Sequence, residues 1–136
     1  MPQLSILLLP EGAFLDIGVG ASRGFTGPTN RPATWRSLVD TGAVITAISP
    51  TVVQALRPQQ IGIIPVTRAG GMVVWRETYD IRVRFGGHNA PGRWFPTEAV
   101  AVQPATPDVD VLIGMDLRIK IDMTWSGSRR LVSIDY

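Results

Sequence analysis

The residues best placed to do chemistry in this sequence are carboxylates. In Leu38-Val39-Asp40-Thr41-Gly42-Ala43 an apolar run ends in an aspartate, a hydroxyl and two small residues. Asp40 closes the hydrophobic run, so its carboxylate emerges from a dry wall. Thr41 offers a hydroxyl that can be buried and bonded locally. Gly42 permits a tight turn with close backbone approach, and Ala43 keeps that turn narrow. Alone, Asp-Thr-Gly is also an ordinary β-turn tripeptide. A second apolar run, Asp110-Val-Leu-Ile-Gly114-Met-Asp-Leu117, ends in another glycine and a candidate helical turn. Composition removes most competing chemistries. The 136 residues include no cysteine and one histidine, which excludes disulfides, zinc fingers, thiol nucleophiles and iron–sulfur clusters. A Ser–His–Asp triad would have to be built on His88.

The remaining polar residues carry weaker signals. Asp16, in Leu15-Asp-Ile-Gly18, lacks a following threonine and reads as a strand-end or surface acid. Asp116 either orients the support of the Asp40 loop or faces a helix dipole. Asp108 and Asp110 lack the rest of a coordination shell, so no metal is expected. His88, between Gly87 and Asn89, reads as an exposed turn residue. Trp35, Trp94 and Trp125 read as packing residues; Trp75 is either a substrate cover or a core or interface residue. Twelve of the thirteen basic residues are arginines, scattered along a chain of net charge +2. Their closest group, Arg76, Arg82 and Arg84, includes Glu77 and Asp80 and reads as a solvated face. A nucleic-acid partner, which wants a one-signed stripe, is not expected.

The elements that must position these residues are β-strands. Apolar runs rich in Val and Ile recur between Gly and Pro punctuation. They predict strands at Leu4–Leu9, Ala13–Val19, Ser37–Asp40, Val44–Ile48, Ile61–Thr67, Val73–Phe85, Glu98–Val102, Val109–Ile113, Ile119–Trp125 and Leu131–Ile134. Tyr79, Ile81, Val83 and Phe85 alternate with polar neighbours, giving one dry and one wet face. Gly70-Gly71 predicts a hairpin tip, Gly86-Gly87 a strand end, and Ser126-Gly127-Ser128 a hairpin loop. The segment Ala21–Ala33 reads as a loop or broad connection. Ser49-Pro50 opens one short helix, with a hydroxyl cap before a proline at its first position. The Leu4–Leu9 run stops at Pro10, far short of the roughly 20 residues a membrane span needs. No membrane partner is expected, and a cytoplasmic protein of one domain, residues 1–136, is.

Together the two motifs resemble those of the retropepsin-like aspartic proteases, the single-domain branch of the pepsin clan. The similarity covers roughly Ala13 to Tyr136. It implies an all-β, closed acid-protease barrel with a flap hairpin and a twofold homodimer. Asp40 matches the catalytic aspartate, and Thr41 the threonine that braces the opposite subunit's loop. Gly42 matches the glycine whose carbonyl receives substrate backbone; Ala43 completes the loop. Leu112, Ile113 and Gly114 match the element packed behind it. Gly70, Gly71 and Met72 fall where the family has its flap, and Trp75 follows it. The sequence holds a single Asp-Thr-Gly, whereas the mechanism needs two carboxylates sharing one proton. The resemblance therefore implies a homodimer that hydrolyses a peptide or protein substrate without cofactor, its terminal strands pairing across the dimer. Val44, Ile45 and Met115 replace the acidic and arginine residues of viral members, so Gly-Met-Asp-Leu looks closer to bacterial and cellular ones. The alternative is a catalytically silent dimeric module of the same fold that binds peptides or proteins.

Overall fold

The computed structural model describes residues 2–22, 31–68 and 70–136. Most of the connection expected at Ala21–Ala33 lies outside the described residues. The strands are β1 (Gln3–Leu9), β2 (Gly12–Ala21), β3 (Ala33–Val39), β4 (Ala47–Ile48), β5 (Gln59–Thr67), β6 (Val73–Phe85), β7 (Phe95–Ala101), β8 (Val111–Ile113), β9 (Asp122–Ser126) and β10 (Leu131–Asp135). There are two short helices among the described residues, α1 (Pro50–Leu56) and, at the helical turn expected after Gly114, α2 (Met115–Arg118).

Six strands close into a barrel in the order β2, β3, β8, β4, β7, β6, and β6 returns to pair with β2. The alternation seen in the sequence is what closes it. Leu15, Ile17 and Val19 of β2 are buried beside Ile81, Val83 and Phe85 of β6. Burying each such side chain contributes about 1.5–3 kcal/mol. Phe85 meets Phe95 edge-on at 5.6 Å and Tyr136 at 5.5 Å, which fastens the end of the chain to the barrel. The aromatic pairs add specific geometry to that burial.

Two extensions leave the barrel. The β5–β6 hairpin runs out to Gly70 and Gly71, whose φ values of 91° and 83° suit a turn of glycines. The other extension is an antiparallel β1–β10–β9 sheet. Here the structure corrects an expectation, because β1 pairs with β10 inside one chain, from Gln3↔Asp135 to Leu7↔Leu131. Among the described residues, β9 ends this sheet. No described helix is long and apolar enough to cross a membrane.

A buried hydroxyl is left unpaired on β6. The Thr78 side chain is fully buried and its hydroxyl finds no hydrogen bond. It lies opposite Gly62, beside the irregularity in the β5–β6 ladder. A buried unpaired hydroxyl costs about 1–3 kcal/mol. Thr78→Val is therefore expected to raise stability by about 1 kcal/mol, read as a higher denaturant midpoint at unchanged slope.

Candidate functional site

Asp40 owes its position to an arrangement of strands far apart in sequence. β8 lies between β3 and β4, parallel to the first and antiparallel to the second. The register Val39↔Ile113 makes both strands end at the same level. The Asp40 N–H donates to the Ile113 carbonyl at 3.1 Å, so the aspartate is fixed beside Gly114. Its carboxylate Oδ1 accepts from the Gly42 N–H at 2.9 Å, and its carbonyl from the Ala43 N–H at 3.3 Å. The result is a tight turn with Asp40 half-buried and Thr41 and Gly42 exposed. Gly42 is not demanded by crowding within the chain, because an added Cβ would meet only Asp40 Oδ1, at 3.5 Å.

The loop beyond the turn is tied to α2. Met115 N–H donates to the Ala43 carbonyl at 2.8 Å, and Asp116 N–H to the Val44 carbonyl at 3.2 Å. The Asp116 carboxylate Oδ1 accepts from Thr46 N–H, Thr46 Oγ1 and Leu117 N–H at 3.0, 2.8 and 2.9 Å. Thr46 Oγ1 in turn accepts from Gly114 N–H at 3.1 Å. Both readings open for Asp116 are expressed in its contacts: the Thr46 bonds orient the loop, and the Leu117 N–H bond sets the carboxylate at the N-terminal turn of α2. The same bonds correct the strand expected at Val44–Ile48. The Ala43 and Val44 carbonyls and the Thr46 N–H are committed to α2, so only Ala47 and Ile48 join the ladder, and Val44 stands 81% exposed.

Gly114 is the close-approach residue. A Cβ there would lie 2.5 Å from the Ile45 carbonyl carbon and 2.7 Å from Thr46 N. Leu112 and Ile113 pair with Leu38 and Val39 behind the Asp40 turn. The four loop residues, Asp40 to Ala43, and the three behind them are thus brought together. Gly70, Gly71, Met72 and Trp75 form the distal part of the hairpin. No hydrogen bond among the described residues ties them to residues 40–43. Met72 and Trp75 are 65% and 64% exposed.

A groove of about 670 Å³ runs beside the loop, walled by Val44, Ile45, Ile61, Thr97, Glu98 and Ile119. Ile61, Thr97, Glu98 and Ile119 were not singled out from sequence, because the groove is made by β5, β7 and α2 meeting in space. Thr46 was missed as well; a threonine six residues beyond Asp40 was its only signal. At the hairpin stem, burial first and the nearby Glu77 carboxylate second push the Tyr79 hydroxyl above its ordinary range. It therefore stays protonated beside a cleft that it shares with Val53 and Gln103.

Other polar residues resolve as structural. Asp110 Oδ1 accepts from Ser49 Oγ at 2.8 Å, while Ser49 Oγ caps α1 by accepting from Val52 N–H. His88 is half-buried rather than exposed, its Nδ1 2.6 Å from Thr34 Oγ1. No cluster of three or more His, Cys, Asp or Glu able to hold a metal occurs among the described residues.

No protein-family model and no curated protein matches the chain. Among solved structures, the chain is similar to a retropepsin-like aspartic protease from Rickettsia conorii. That similarity has a TM-score of 0.61 at 15% identity and covers 99% of this chain and 91% of the other. The barrel is thus a retropepsin-like fold.

Proposed function

We propose that the protein is an aspartic endopeptidase that works as a twofold homodimer, each copy supplying its Asp40 carboxylate to one shared centre. One observation carries the reading: Asp40 stands at the end of β3 in a turn held by Ile113 and α2, on a retropepsin-like barrel. One copy supplies one such carboxylate. Two copies related by a twofold axis bring two together, and Thr41 and Gly42 are exposed for that approach. The bacterial source of the similar structure supports a kinship with bacterial rather than viral members.

The chemistry follows from two carboxyls that share one proton. The ionised carboxyl takes a proton from water as the water oxygen bonds to the scissile carbonyl carbon. The protonated carboxyl gives its proton to the carbonyl oxygen. As the tetrahedral intermediate collapses, one of its hydroxyls returns a proton to the second carboxyl, the C–N bond breaks, and the amine leaves with the proton held by the first, so the pair again shares one proton. The groove, where Val44, Ile45, Ile61 and Ile119 lie beside Asp80, Glu98, Asp116 and Lys120, suits an extended peptide with both apolar and polar side chains.

Dilution tests the reading. Specific activity on a peptide library should fall as the protein is diluted through its dimer dissociation constant, in step with the sedimentation coefficient. A pepstatin-type transition-state mimic should block activity and hold the dimer together. Binding of peptides with no turnover at any concentration would instead identify a silent peptide-binding module.

A further inference from the structure

The arginines that look like a solvated face in the sequence do not form one. Arg82 and Arg84 project outward from β6, alternating with the buried Ile81, Val83 and Phe85, and both are half-buried. Their guanidinium carbons lie 4.6 and 4.5 Å from the centre of the Trp94 ring, hence within about 9 Å of each other. Arg84 Nη1 also donates to the His88 carbonyl at 3.1 Å, which fixes its orientation. Arg93, the residue before Trp94, lies over Phe95 at 4.5 Å. All three arginines line one cleft of about 460 Å³, completed by Ser22, Gly92 and Pro96 among others. None of the described residues lining it is acidic.

We infer that this cleft binds a compact oxyanion of the phosphate type. The guanidinium forks of Arg84 and Arg93 carry planar sets of donors that match the oxygens of a phosphate, a geometry that lysines would not supply. The indole and the His88 carbonyl hold two of the forks before any ligand arrives, so less side-chain freedom is lost on binding. Like charges gathered in a half-buried cleft also create a field that an anion relieves. The inference needs the charges of Arg84 and Arg93; Arg82 adds to the field from its place against the same indole. The cleft meets the groove beside the Asp40 loop only at Pro96 among the described residues, and the inference stands apart from the proposed peptidase activity.

The full-length protein titrated with inorganic phosphate at constant ionic strength, followed through the Trp94 indole N–H resonance, tests this. Trp94→Phe assigns that resonance. A saturable shift is expected, sulfate should compete, and chloride should not. Arg93→Gln, at an exposed residue whose loss spares the fold, should weaken binding about tenfold, as should Arg84→Gln. Tighter capture of a phosphoserine peptide than of free phosphate identifies a phosphorylated side chain as the source; equal capture identifies the free ion. A drift that never saturates, or binding unchanged in Arg93→Gln, overturns the inference.

Discussion

Replacing Asp40 by Asn is expected to abolish peptide hydrolysis while leaving the protein folded. The substitution keeps the size of the side chain, and an amide oxygen still accepts the Gly42 N–H bond that shapes the turn. The Ile113 and Ala43 bonds involve only the Asp40 backbone and are untouched. Stability should therefore change by no more than about 0.5 kcal/mol. An amide can neither take a proton from water nor share one with its partner. In a homodimer both copies are altered at once, so acid and base are lost together. General acid–base catalysis is worth about 10²–10⁴-fold for each group, and the combined loss should reach the background of the assay. A library digest of wild type and Asp40→Asn at mildly acidic pH, with sedimentation run on both, is the measurement. Undiminished cleavage by the variant would remove Asp40, and the proposed mechanism with it. Wild-type activity should also follow a bell-shaped pH profile, the signature of a pair that must hold one proton between them.

Much of this was legible in the sequence, for local reasons. Ile81, Val83 and Phe85 fall on the dry face that their alternation predicts, because a strand's side chains alternate whatever its neighbours are. Ser49-Pro50 starts α1 because a hydroxyl cap and a fixed proline φ act within one turn. The pairing of the Asp40 and Gly114 motifs was visible only through resemblance, since nothing local says that β8 slots between β3 and β4. What could not be read depends on distant backbone. The strand expected from Val44 ends up as a tether because Asp116, seventy residues on, takes the Thr46 N–H that a ladder would have used. Likewise Arg84 and Trp94 look unrelated along the chain, and the β6–β7 pairing brings them together.

Gly114→Ala carries the largest expected cost in stability. The backbone at Gly114 is extended, with φ −87° and ψ 179°, so any residue could adopt it. The objection is steric. The three atoms nearest the new methyl are the Ile45 carbonyl carbon and oxygen and Thr46 N, at 2.5, 2.7 and 2.7 Å. All three are backbone, so no rotamer change relieves the overlap, and the two segments must move apart. They are held by Gly114 N–H to Thr46 Oγ1 and by the Thr46 bonds to Asp116, so separation strains a partly buried hydrogen-bond network. Overpacking a well-packed interior costs about 1–3 kcal/mol and sometimes more. With backbone at each of the three nearest contacts the upper end is expected, about 3 kcal/mol, or roughly 10 °C in thermal midpoint for a domain of this size. Gly127→Ala is the matched control: its added Cβ meets nothing within 4 Å, and its midpoint should move by no more than about 2 °C. Equal behaviour of the two variants would mean that the β8 end and the Ile45–Thr46 backbone are not in contact. The same shift moves the Ala43 and Val44 carbonyls away from α2 and loosens the turn that aims Asp40. Peptidase activity measured below the variant's midpoint should therefore also fall, although Gly114 touches no substrate.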